Sequence, residues 1–290
     1  MSAEPSKTAE SIQKPGAPVY VPDSYWNKRL EKDFSLAGVG HAGVGLAFNR
    51  WAYQVRRRVL KRVLSDFKIE IQGQKILELG FGTGFYLDLW REMGAAQVLG
   101  VDIAEIAVKA ARERFALQNW RFEQGDIGAP APFNDSAGSY GLATAFDVLF
   151  HLVEDAPWNG ALDNLANSVK PGGYVLIFDK FQRKESGVSH VKRRTLATYE
   201  DALQARGLEI VELRPIFFFM NSPTDLSGLS KVAFKLAWSL SKLPYKIGRV
   251  VGLGDVFGGL MGALMYWPEI FYGRIFSSGP STKLLLARKK

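Results

Sequence analysis

The 290-residue chain contains no cysteine. That excludes a disulfide framework, cysteine metal sites, a cysteine nucleophile and methyl transfer through a cysteine adduct. It fits a cytoplasmic setting. Histidine is scarce, with only His41, His151 and His190, and no His/carboxylate spacing resembles a metal site, so no metal is expected. The first 20 residues lack an apolar signal-peptide core and are rich in Ser, Pro, Ala and Lys, which predicts a disordered tail over 1–20. The apolar run from Val256 to Trp267 is too short to span a bilayer.

What is abundant is basic charge and glycine. Net charge is +8, with clusters at Arg56–Arg58 with Lys61 and Arg62, at Lys192–Arg194, and at Arg288–Lys290. Such clusters can meet nucleic acid, anionic lipid or an acidic substrate. The first reads equally as the solvated side of a helix, because Val55, Val59, Leu60, Val63 and Leu64 supply an opposite apolar face. No nucleic-acid-binding motif stands out, and nucleic acid is not the expected partner.

The stretch KILELGFGTGFYLDLW, residues 75–90, carries Glu78 and then Gly80, Gly82 and Gly84. An apolar strand, a glycine turn and a helix start leave free N–H groups that suit a polar or anionic ligand. A second strand pattern, Val98 to Val101, ends at Asp102, about 20 residues past the glycines, where an acid gripping ribose hydroxyls belongs. Further strands end at Asp126, run through SYGLATAFDVLFHL, and follow Pro171-Gly172-Gly173. Strands alternating with helices predict an α/β fold with a doubly wound parallel sheet, binding its ligand at the strands' C-terminal ends.

These motifs, in this order, resemble the class I S-adenosylmethionine-dependent methyltransferase family over about Gly73 to Arg214 plus a final strand near Thr282–Arg288. The resemblance implies a Rossmann-like seven-stranded sheet with S-adenosyl-L-methionine as cofactor. It implies that Glu78, Gly80, Gly82 and Gly84 cradle the methionine part, that Asp102 meets the ribose, and that Ile103 is a further cofactor contact. Asp126 would meet the adenine amine, with Ile127 flanking the ring. Two departures loosen the match to any one subfamily: Tyr140–Ala143 reads YGLA where an Asp is usual, and Ala104 stands where Ser is frequent. Phe146-Asp147-Val148-Leu149 replaces the Asn/Asp-Pro-Pro-Tyr of base N-methylating relatives.

The expected organisation is a helical lid over 21–68 and a core over 69–221. A helical insertion between strands six and seven follows over 222–279, and a last strand with a basic tail over 280–290. Tyr25, Trp26, His41, Asn49 and Tyr53 are the expected site-facing lid residues. Leu229, Val232, Ala233, Leu236, Ala237 and Leu240 make one helical face of the insertion, and Phe257, Tyr266, Trp267, Phe271 and Tyr272 add aromatics. The insertion is expected to roof the acceptor pocket; the alternative is a membrane-surface element, a peripheral contact through 222–278. His151, then His190, then His41 are the candidate general bases.

The function expected is methyl transfer, at oxygen, to a small-molecule, lipid or glycoconjugate acceptor. The alternatives are a membrane-associated cofactor-binding protein without turnover and a nucleic-acid methyltransferase. A nicotinamide-dependent dehydrogenase is a further rival, but its G-x-G-x-x-G turn differs from the G-x-G-x-G here.

Overall fold

The computed structural model describes residues 20–130 and 137–290. The tail expected over 1–20 therefore lies, apart from Tyr20, outside the described residues.

Three helices come first: α1 (Pro22–Lys32), α2 (Leu36–Val39) and α3 (Gly45–Asp66). The sheet and its crossovers follow as β1 (Lys75–Leu79), α4 (Phe85–Glu92), β2 (Gln97–Asp102), α5 (Glu105–Arg114), β3 (Arg121–Gln124) and β4 (Tyr140–Phe146). Then come α6 (Asp155–Ser168), β5 (Val169–Asp179), the short hairpin β6 (Ser186–Val188) and β7 (Val191–Arg193), α7 (Leu196–Gln204) and β8 (Leu208–Pro215). The insertion consists of α8 (Gly228–Ser241), α9 (Leu243–Val250) and α10 (Gly254–Ile275), and β9 (Lys283–Lys289) closes the sheet.

Seven strands pair in the order β3-β2-β1-β4-β5-β9-β8, with β9 antiparallel to both neighbours and the other pairs parallel. The order reverses between β1 and β4, and a crevice opens at such a switch point. Alternation along the strands divides the core. Ile76, Leu142, Leu176 and Leu284 face the layer that holds α3 and α4, whereas Leu77, Ala143, Val175 and Leu285 face the layer that holds α6 and α7. The Pro171–Gly173 turn expected before the fifth strand lies inside β5, as an irregularity in its pairing with β4.

Helix α3 is the hinge of the architecture in a packing sense. One side of it supplies Phe48, Tyr53, Val59, Leu60 and Val63 to the core, and α10 lies along it. Two glycines of α10 allow that approach: a Cβ on Gly258 would sit 2.8 Å from the Val44 carbonyl, and one on Gly262 would sit 2.6 Å from the Trp51 ring.

Burial corrects the reading of two basic clusters. Arg56 is 8 % exposed and pairs with Asp147 at 2.9 Å, because its side of α3 is covered, whereas Arg58, Lys61 and Arg62 of the same cluster stay exposed. Arg194 is 2 % exposed; its guanidinium donates to the Leu152 and Glu154 carbonyls and to Asp155. Neither arginine is available to an external partner.

Candidate active site

The glycine turn after β1 has three glycines in the left-handed region, with φ of +71°, +53° and +76° at Gly80, Gly82 and Gly84. Side chains are disfavoured there. Gly80 is also crowded: its Cβ would meet Val148 at 2.6 Å. The Gly80 N–H donates to the Val101 carbonyl at 2.7 Å, tying the turn to β2. Asp102 ends β2 and braces the same turn. Its Oδ2 accepts from the Gly82 N–H at 2.7 Å, and its Oδ1 accepts from the Ala104 N–H at 2.9 Å. Burial raises the Asp102 carboxyl, and these backbone donors oppose the rise by favouring the ionised form.

A cavity of about 100 Å³ opens at this switch point. Gly80, Gly82, Asp102, Ile103, Asp126 and Ile127 line one end. Phe146, Asp147, Val148 and His151, which follow β4, line another part. The N-terminal segment supplies Tyr20, Pro22, Trp26, Leu30, Val39 and Tyr53. Phe85 and Tyr86, at the start of α4, complete the aromatic wall. Asp126 stays in place through a turn in which its Oδ1 accepts from the Gly128 N–H at 2.8 Å.

Other expected residues lie elsewhere. Glu78 shares the strand face of Ile76, under α4, and accepts from Trp90 Nε1 at 2.5 Å. Burial pushes its carboxyl up to about 8, and it does not line the cavity. Gly84 is the N-cap of α4, also off the cavity. His41 packs on Trp238 of α8, with ring centroids 5.4 Å apart, and is outside the cavity wall. Asn49 is internal too: its amide bonds the His41 backbone and the Gly45 carbonyl. Tyr25 does not line the cavity but stacks on His190 at 5.3 Å.

His151 is the one histidine that lines the cavity. Its Nδ1 lies 2.9 Å from the His190 carbonyl, and a carbonyl can only accept. Nδ1 therefore carries the proton, and Nε2 keeps its lone pair. Trp26 meets the ring edge-on at 4.8 Å. Burial pushes the imidazole down to about 3. His190 thus acts on the site through its backbone, while its ring stays outside the lining.

Three features escaped the sequence reading. Asp147 has φ of +55°, an uncommon state for a residue with a side chain, and its ion pair with Arg56 stands at the cavity edge. Arg56 is also stacked between Tyr53 and Phe217, 4.8 and 4.6 Å from their rings. The Tyr86 hydroxyl is buried without a hydrogen-bond partner in the wall of the cavity. The strained backbone has no sequence signal, since Asp is not glycine.

The insertion does not roof this cavity; none of its residues is in the wall. Its helix α10 packs on α3, while its first residues, Ser222 to Ser227 with Lys231 and Lys235, line a separate hollow together with Lys180 and Gln182, which follow β5.

The seven-stranded order and the crevice beside a glycine turn define a Rossmann-like fold of the methyltransferase type. The profile of the family described as "Methyltransferase domain" matches residues 76–173, so this stretch of the chain is a methyltransferase domain. Among curated relatives, a "Ribosomal protein L11 methyltransferase" of Burkholderia vietnamiensis is 29 % identical over 155 residues, 52 % of this chain and 45 % of that protein. A "Ubiquinone biosynthesis O-methyltransferase" of Leptothrix cholodnii is 33 % identical over 110 residues, 37 % of this chain and 45 % of that protein. The chain thus spans under half the length of these relatives.

Among solved structures, a putative sarcosine dimethylglycine methyltransferase from Galdieria sulphuraria shares the fold at a TM-score of 0.52 and 18 % identity, over 80 % of this chain and 85 % of that one. The [4+2]-cyclase SpnF shares it at 0.50 and 20 % identity, over 80 % of each chain.

S-adenosylmethionine is the cofactor of the class I family, and the residues here fit it. The turn is open where side chains would fill it, a carboxylate faces the cavity beside backbone N–H groups, and the Tyr86 hydroxyl is available to a polar atom.

Proposed function

We propose that the protein transfers a methyl group from S-adenosylmethionine to an oxygen of a small apolar acceptor, a free small molecule or the polar end of a lipid. The carrying observation is one cavity that joins the glycine turn, Asp102 and Asp126 to His151 through aromatic walls. A relative named for O-methylation in ubiquinone biosynthesis supports oxygen as the acceptor atom. The cysteine-free composition supports a cytoplasmic setting.

The cofactor supplies an activated methyl group when bound. Asp102 would hold the ribose hydroxyls, Ile103 and Ile127 would flank the base, Asp126 would meet its amine, and the turn from Gly80 to Gly82 would contact the amino-acid part. Trp26, Tyr53, Tyr86 and Phe146 exclude water, which lets positioning govern an in-line displacement. His151 Nε2 would accept the proton from the attacking hydroxyl, held in that tautomer by the His190 carbonyl. Burial disfavours the imidazolium, so His151 serves best where the acceptor's hydroxyl is already acidic.

The test pairs calorimetry with turnover. S-adenosylhomocysteine should bind, and Asp102→Ala should weaken it at least about tenfold, since a charge-assisted hydrogen bond contributes about 1.5–3 kcal/mol. Extract incubated with isotopically labelled S-adenosylmethionine should yield a labelled, base-stable, extractable ether. Binding with no labelled product from any fraction would leave a cofactor-binding protein without turnover.

A further inference from the structure

The insertion is turned inside out. On α8 only Trp238 is buried, while Leu229, Val232, Leu236 and Leu240, three or four residues apart, are 55–88 % exposed. Helix α9 exposes Leu243, Ile247 and Val250, and Leu253 is bare in the turn that follows. Helix α10 has two apolar faces. Gly258, Met261, Gly262 and Ile270 pack inward, whereas Val256, Leu260, Leu264, Trp267, Phe271 and Ile275 form a stripe along its outer side, each more than half exposed. Such a surface exceeds the scattered apolar residues that a soluble monomer normally shows.

The charge around it is mostly of one sign. Residues 228–276 hold six basic residues and two acidic ones, Asp255 and Glu269. Both acids are engaged by backbone. Asp255 accepts from the Leu46 and Ala47 N–H groups at the start of α3. Glu269 is buried and accepts from the N–H groups of Phe218, Phe219 and Met220. Asp255 stays exposed, so the outward charges are this one acid against Lys235, Lys246, Arg249 and Arg274, joined by Arg58 of α3, whose guanidinium lies 5.9 Å from the Trp267 ring. A second copy docked face to face would bring these like charges together, whereas anionic headgroups complement them.

We propose that α8, α9 and α10 form a face that lies on an anionic lipid bilayer. Its leucines and Trp267 enter the headgroup–acyl boundary, and the basic residues meet lipid phosphates. Among the described residues no helix is long and apolar enough to cross a membrane, so the contact is with one surface only. This inference stands independently of the methyl-transfer reading.

The cysteine-free chain makes the test specific. A Leu264→Cys variant, labelled with an environment-sensitive dye, is mixed with vesicles of phosphatidylcholine alone or with added phosphatidylglycerol; Leu117→Cys, on a fully exposed turn remote from the insertion in sequence, is the control. The expected result is a blue shift at position 264 with anionic vesicles, weakened by salt, and none at position 117. A double variant, Leu260→Glu with Trp267→Glu, should lose at least about tenfold in vesicle sedimentation, because each side chain contributes about 1.5–3 kcal/mol when removed from water. Its circular dichroism and thermal midpoint should match the parent, since both positions point outward. The proposal is overturned by no sedimentation with anionic vesicles at low salt. It is overturned equally by binding that ignores both lipid charge and the double variant, or by a blue shift at position 264 without vesicles that grows with protein concentration alongside a dimer. That last result would assign the face to a second copy.

Discussion

Two helical additions flank the same sheet, and only one of them closes the cavity. The N-terminal segment through α3 places Tyr20, Trp26, Leu30 and Tyr53 in its wall, while the larger and more apolar insertion places nothing there. Apolar content alone would have favoured the insertion as the roof. The decisive difference is where each addition is anchored. Arg56 of α3 is tied to Asp147 at the end of β4, which aims the N-terminal segment at the strand ends. The insertion is tied through Glu269 to the backbone of residues 218–220 and through Asp255 to the start of α3, which lays α10 along α3.

Breaking the first anchor should have the largest effect. Arg56→Met leaves Asp147 without its partner, and losing one member of a buried pair costs about 3–5 kcal/mol. Asp147 retains some solvent access, so a loss of about 2–4 kcal/mol in urea unfolding is expected, together with weaker S-adenosylhomocysteine binding. A stable variant with parental affinity would show that the ion pair anchors nothing.

Cutting the second anchor should separate stability from binding. Glu269→Gln leaves at least one buried N–H among residues 218–220 without a good acceptor, a loss of about 1–3 kcal/mol. S-adenosylhomocysteine affinity should be unchanged, because the insertion is absent from the wall. Loss of affinity in a folded variant would join the two regions that the structure keeps apart.

The pH dependence distinguishes them more finely. Burial holds His151 down to about 3, so the unfolded chain takes up its proton first, near the ordinary value of 6.5. Stability is therefore lost as pH falls from about 6.5 toward 3. Glu269 has the opposite sign: burial pushes it up to about 7, so its stabilising contribution is present below the usual carboxylate range and is lost as pH rises toward 7. In urea titrations at pH 7 and pH 4, His151→Gln should show less acid loss than the parent. An identical loss would mean that His151 is solvated in the folded state.

Local spacing carried much of this in the sequence. Gly80, Gly82, Asp102, Asp126 and Ile127 were legible because one βαβ unit brings a turn and two strand ends together at fixed intervals. Glu78 belonged to the same motif, but strand alternation sends its side chain under α4 to Trp90. Position after the fourth strand ranked His151 ahead of His41 as a base, but only the fold reveals that His41 meets Trp238 and His151 the cavity. Arg56 and Arg194 read as surface charge because a basic helix face gives no sign of what covers it. The helical periodicity of α8 was legible too, but not its orientation, since an amphipathic stripe does not state whether protein or something else lies against it.

The most direct test titrates S-adenosylhomocysteine into two tryptophan variants by calorimetry. Trp26 stands in the cavity wall against His151, and Trp267 is 66 % exposed on the outer stripe of α10. Trp26→Ala should weaken binding by roughly threefold to tenfold, as expected when part of an aromatic wall is lost, while Trp267→Ala should bind like the parent. Unchanged affinity in Trp26→Ala with a clear loss in Trp267→Ala would contradict the account, because it would put the insertion, and not the N-terminal segment, over the cofactor.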